Sequence, residues 1–155
     1  ANYMTAEFEA LSAEERTHWT HADATALVQA GLAQRQYEHI ILIGKSFGTL
    51  AIAHMLNTKA PMPPTAVLWL TPLLHRPRLV EAAKHFRGSS LFVAGTADDA
   101  YDAGALAAIQ EATRAEVLII QEANHGMEIP GDLARSIQVM ERIVRAMADW
   151  FDRQG

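Results

Sequence analysis

The sequence predicts an α/β fold, a parallel sheet of about four strands with helices on both faces. Three observations carry that prediction. Four short apolar runs, at 40–43, 66–70, 90–94 and 116–120, alternate with stretches whose apolar residues recur at spacings of three and four. Alternation of this kind calls for crossover connections, and so for strands that run the same way. The runs are nearly continuous rather than alternating in polarity, as strands covered on both faces require. Finally, 155 residues, 50% of them hydrophobic, suffice to bury one proper core, so a single domain over 1–155 is expected.

Composition narrows the function. The net charge is −5 with acidic and basic residues well mixed, so no basic face is offered to nucleic acid or to anionic lipid, and a small neutral substrate fits better. Cysteine is absent, which excludes disulfides, thiolate nucleophiles and cysteine metal sites and permits a reducing compartment. No apolar run approaches the roughly 18 residues of a membrane span, and the N-terminus shows no charged-then-apolar leader pattern. A soluble, cytoplasmic protein with no membrane partner is the expectation.

Taken in order, residues 1–10 have weak periodicity and read as a loop or a short first helix. Ser12-Ala-Glu-Glu15 is a capping box, in which hydroxyl and carboxylate each satisfy a free backbone N–H, so a helix is expected from about Ala13 to Gln34. Its apolar stripe would include Trp19, Ala26, Leu27, Ala30 and Ala33. His18 and His21 lie three apart there with Asp23 near, but no third ligand has matching spacing, so they read as polar surface residues and not a metal site.

The run at 40–43 leads straight into Gly44-Lys45-Ser46-Phe47-Gly48, after which Leu50, Ala51, His54 and Met55 recur at helical spacing. A strand, a Gly-x-Ser-x-Gly turn and a helix make a chain reversal that exposes the serine hydroxyl at its tip, with small residues expected at Gly44 and Gly48 where the backbones approach. Gly44-Lys45-Ser46 is also the tail of a Walker A phosphate loop. That loop needs glycine where His39 stands and flexible residues at 40–43, where the sequence has Ile-Ile-Leu-Ile.

Three prolines in the connector 59–64 bar it from helix or central strand. The second strand, 66–70, is followed by the loop 71–76, and Pro77 suits the first turn of a helix carrying Leu79, Val80, Ala83 and Phe86 that stops near Gly88. The third strand, 90–94, breaks at Gly95 into Thr-Ala-Asp98-Asp99-Ala-Tyr101, and a helix of about ten residues with Leu106, Ile109 and Ala112 facing in follows. The fourth strand, 116–120, opens into a loop holding His125. A long terminal helix closes the chain, with Ile137, Met140, Ile143, Val144, Met147 and Phe151 as its apolar stripe.

In such sheets the reactive loops lie beyond the carboxyl ends of the strands. Three of those loops carry Ser46, an aspartate and His125. A serine hydroxyl attacks near neutral pH when a neutral imidazole takes its proton, and the imidazole needs a carboxylate on its other nitrogen to fix the tautomer. Each residue also has a plainer reading. Ser46 is suited to capping the helix after it, Asp98 to stabilising a turn, and His125 to an ordinary loop position. The remaining histidines, at 18, 21, 39, 54, 75 and 85, read as structural or solvated. Met62, Leu73, Leu74 and Met127 are candidates for an apolar acyl pocket, and Lys45 reads as a rim charge.

With Ile41-Leu-Ile-Gly-Lys-Ser-Phe-Gly48, Val93-Ala-Gly-Thr-Ala-Asp98-Asp-Ala-Tyr101 and Ala123-Asn-His125-Gly-Met-Glu in view, the chain resembles the C-terminal half to two-thirds of an α/β-hydrolase, similar to small bacterial members of that fold. The resemblance implies a serine hydrolase acting on a small ester, thioester or amide without a cofactor. Ser46 would be the nucleophile, His125 the base, and the Phe47 N–H one oxyanion donor. The family's acid usually falls three residues after a strand-ending glycine, so Gly95 points to Asp98, with Asp99 and Asp102 as alternatives. The chain departs from the family in having no convincing strand before 40–43, where about four are usual. One consequence is a missing second oxyanion donor, for which residues 1–5 or the loop 71–75 are the substitutes. The other is an open, apolar strand edge at 39–43, expected to be covered by the N-terminal segment, by a second copy in a homodimer, or by a missing N-terminal fragment. A catalytically silent binding domain of the same fold is the alternative reading.

Overall fold

The structure is a computed structural model that describes residues 5–58 and 61–154. The chain divides into two compact units with their boundary between Glu38 and His39.

The first unit is helical. A four-residue helix α1 (Ala6–Glu9), capped by the Thr5 hydroxyl, precedes α2 (Ala13–Leu32). The capping box forms as the sequence requires: the Ser12 hydroxyl accepts from the Glu15 N–H at 3.2 Å, and the Glu15 carboxylate accepts from the Ser12 N–H at 2.8 Å. The Ser12 side chain and the Ser12 backbone N–H, both beside the Glu15 carboxyl, hold it below its ordinary range. The expected stripe is not buried. Trp19, Ala26, Leu27, Ala30 and Ala33 are all exposed, because this unit contains no second long element to receive them.

The second unit is the α/β domain. Its elements alternate strictly: β1 (Ile40–Lys45), α3 (Phe47–Asn57), β2 (Thr65–Leu70), α4 (Pro77–His85), β3 (Ser90–Gly95), α5 (Ala103–Thr113), β4 (Glu116–Ile120) and α6 (Leu133–Asp152). The four strands are all parallel and lie in the order β1-β2-β3-β4. Pairing in register puts laterally matched residues on one face. Trp69 therefore stands beside Phe92, their rings stacked with centroids 5.2 Å apart, and both belong to the core between the sheet and α3, α4 and α5. On the opposite face Ala66, Leu68, Leu91 and Val93 pack with Ile143 and Trp150 of α6, which lies over β3 and β4.

Two expectations about burial are corrected here. The run at 40–43 is not covered on both faces. Ile41 and Ile43 pair with Ala66 and Leu68, share the α6 face, and are 39% and 56% exposed, since α6 lies over the far side of the sheet. Among the described residues, β2 is the one strand that pairs with β1. On α6 the buried residues are Ile143 and Trp150, with Met147 and Phe151 half-buried, while Ile137, Met140 and Val144 are exposed on a flank of the cylinder. The second half of the connector behaves as three prolines dictate, with 61–63 in no regular element; residues 59 and 60 lie outside the described residues. No helix among the described residues is long and apolar enough to cross a membrane.

Candidate active site

Strand β1 runs into α3 with one residue between them, Ser46, at φ 51° and ψ −117°. A side chain in that region is strained, and the surroundings must hold it. They do so by extending the sheet ladder into the turn: the Ser46 N–H donates to the Leu70 carbonyl at 2.9 Å, and the Ser46 carbonyl accepts from the Thr49 N–H at 2.9 Å and the Thr49 hydroxyl at 2.5 Å. The glycine before the turn is sterically required, for a Cβ on Gly44 would stand 2.8 Å from the Gly48 carbonyl oxygen and 2.7 Å from Ile52 Cδ1. At Gly48 a Cβ would meet nothing within 4 Å, so the expected need for a small residue there does not hold. Residues 40–45 are strand and not a phosphate-cradling loop.

Ser46 occupies the N-cap position of α3, yet its hydroxyl makes no capping bond. Instead Ser46 Oγ lies 2.7 Å from His125 Nε2, across 79 residues of sequence. His125 Nδ1 lies 2.8 Å from Asp98 Oδ2, and Asp98 Oδ1 accepts from the Ala100 N–H at 2.8 Å. Asp98 is 7% exposed, so its carboxylate has these two partners in place of water. Neither alternative acid shares this position. Asp102 caps α5 by accepting from the Ala105 N–H at 2.9 Å, and Asp99 is exposed.

The loops bearing the carboxylate and the imidazole are built as one piece. The β3–β4 ladder continues past both strand ends, with the Thr96 N–H donating to the Ile120 carbonyl and the Ala97 N–H to the Ala123 carbonyl, each at 3.0 Å. Gly95 lies so close to Ala123 that an added Cβ would come within 2.2 Å of its carbonyl oxygen. Asn124 then braces the histidine turn from inside, its Oδ1 accepting from the N–H groups of Gly126 at 2.8 Å and Glu128 at 3.0 Å. Met127 closes that turn at φ 64° and is buried in the α6-side core.

Beside His125 and Asp98 is an open cavity of about 390 Å³, lined also by Leu73, His75, Ala97, Asp99, Ala100, Asn124 and Gly126. Of the apolar side chains expected to form a pocket, Leu73 is on its wall. Leu74 and Met127 belong to the two cores and Met62 is half-buried elsewhere. Phe47 is the first residue of α3, directly after Ser46. Most amides of the loop 71–75 are already engaged: Thr71 donates to the Val93 carbonyl, Leu73 to the Thr49 hydroxyl and Leu74 to the Pro72 carbonyl, and Pro72 has no N–H. Residues 1–4, most of the other expected source of an oxyanion donor, lie outside the described residues.

Three contributors had no local signal in the sequence. Lys45, expected at the rim, does lie exposed, but its Nζ donates to the His125 carbonyl at 3.3 Å. Thr49 is fully buried and ties the serine turn to Leu73. His75 reaches the cavity wall from the loop after β2. Among the described residues no group of three histidine, aspartate or glutamate side chains is placed to hold a metal ion. No protein-family model, curated protein or solved structure matches this chain.

Proposed function

We propose that this protein is a serine hydrolase of α/β-hydrolase type that cleaves a small carboxylic ester, thioester or amide through an acyl-enzyme. The observation that carries the reading is the unbroken hydrogen-bonded chain from Ser46 Oγ through His125 to a buried Asp98. In the proposed reaction Asp98 holds the proton on Nδ1, which leaves Nε2 free of hydrogen and able to accept the Ser46 proton as Oγ attacks the carbonyl carbon. The developing oxyanion would be met by the Phe47 N–H at the start of α3, where the helix dipole favours negative charge. His125 then returns its proton to the leaving atom as the carbon–heteroatom bond breaks. Water, activated by the same imidazole, releases the acid and restores Ser46. No cofactor is required by this sequence of steps, and the proposed setting is the cytoplasm.

A fluorophosphonate probe tests the reading directly. It is expected to label the protein at Ser46, and Ser46→Ala to abolish labelling; equal labelling of the variant would remove Ser46 from the chemistry. A second reading, a silent binding domain of the same fold, is favoured by the engagement of the Thr71, Leu73 and Leu74 amides, which removes those three as oxyanion donors. Loss of one such donor typically costs about a hundredfold to a thousandfold in turnover. Absence of labelling in the wild-type protein would decide for it.

A further inference from the structure

We propose that the cavity beside His125 is a subsite for a positively charged leaving group, such as an amino or quaternary ammonium alcohol, with Asp99 as the residue that selects it. The proposal rests on the hydrolase reading for the direction in which the substrate lies. In that reading the leaving group departs toward the imidazole that protonates it, and the cavity lies against that imidazole and Asp98.

The charge on the wall does the rest. Of its lining residues only His75, Asp98, Asp99 and His125 carry titratable side chains; neither lysine nor arginine is among them. Asp98 is buried and hydrogen-bonded to His125 Nδ1 at 2.8 Å. Asp99 forms no ion pair among the described residues and is exposed at the cavity. The wall therefore carries two carboxylates, Asp98 buried and Asp99 exposed, and the Lys45 ammonium, which donates to the His125 carbonyl at 3.3 Å, is not part of the lining. A cation there gains a Coulomb partner in a partly enclosed space, while an anionic leaving group meets repulsion. The apolar remainder of the wall, Leu73, Ala97 and Ala100, suits the alkyl substituents of such a group.

The test uses binding, so that it does not depend on turnover. Acetylcholine and its uncharged carbon isostere, 3,3-dimethylbutyl acetate, are titrated at pH 8 against the full-length Ser46→Ala protein, with chemical shifts of Asp99 and His125 as the readout. A partly exposed charge pair corresponds to about a fivefold preference for the cation. That preference is expected to fall toward unity in Asp99→Asn, to persist in Asp99→Glu, and to shrink as salt rises. Equal binding of the two esters, or a preference that ignores Asp99→Asn, would overturn the subsite. Fluorophosphonate labelling of the wild type reads the other claim independently. A labelled protein with no charge preference sinks the subsite alone, whereas an unlabelled one that still prefers the cation sinks the hydrolase and leaves the cation site standing.

Discussion

Strands β1 and β3 have similar sequences and opposite circumstances. In β3 all six residues are buried, and the strand is paired on both edges. In β1 Ile40 and Leu42 on the α3 side are half-buried and Gly44 is buried, Ile41 and Ile43 on the other side are exposed, and one edge has no partner strand among the described residues. Each delivers a member of the candidate site from its carboxyl end, β3 the carboxylate and β1 the hydroxyl. The lesson is that an apolar run specifies a strand, while its place in the sheet decides what the run contributes to stability. The more buried strand holds the carboxylate, and the more exposed one the hydroxyl.

The sharpest way to break this contrast is to empty the centre. Phe92→Ala in β3 removes a ring that is 1% exposed and stacked on Trp69, and is expected to cost about 3–5 kcal/mol, measured by urea denaturation. A cost below 1 kcal/mol would mean that the two strands do not differ as described. Next in size is Gly44→Ala, which drives a methyl into the Gly48 carbonyl and should cost about 1–3 kcal/mol and displace the Ser46 turn. Its control is Gly48→Ala, where a Cβ meets open space and a helix gains propensity, so stability should hold or rise by up to about 1 kcal/mol. Equal losses at the two glycines would contradict the geometry of the turn. The smallest effect is expected at the edge. Ile43→Lys, on a side chain 56% exposed, should change stability by under about 1 kcal/mol and suppress any concentration-dependent association seen in sedimentation velocity, because a charge on an edge strand opposes pairing with another. Association that survives the substitution would place the contact elsewhere.

Much of the fold was legible because it rests on local rules. The capping box at Ser12, the proline at the start of α4 and the glycine that ends β3 mark element boundaries by their own backbone chemistry, and the sheet follows from alternation. What periodicity could not say is which side of a helix finds a partner. Ile137, Met140 and Val144 satisfy the spacing rule as well as Ile143 does, but α6 lies over β3 and β4 and leaves that flank uncovered. The same limit applies at the site. Ser46, Asp98 and His125 were marked by motifs that fix each loop, and the fold brings their side chains within hydrogen-bond distance. Thr49 reaches Leu73 across 24 residues, Lys45 reaches His125 across 80, and His75 shares a cavity wall with residues 97–100 and 124–126, and no short motif encodes such reach.

Gly95 backs onto Ala123 without a side chain between them, so the roots of the carboxylate loop and the imidazole loop are bolted together. Asp98 and His125 are thus set against each other by adjacent strands, whereas Ser46 meets His125 from β1, two strands away from β3. In the proposed hydrolase the side chains of those two parts of the site meet across the 2.7 Å from Ser46 Oγ to His125 Nε2.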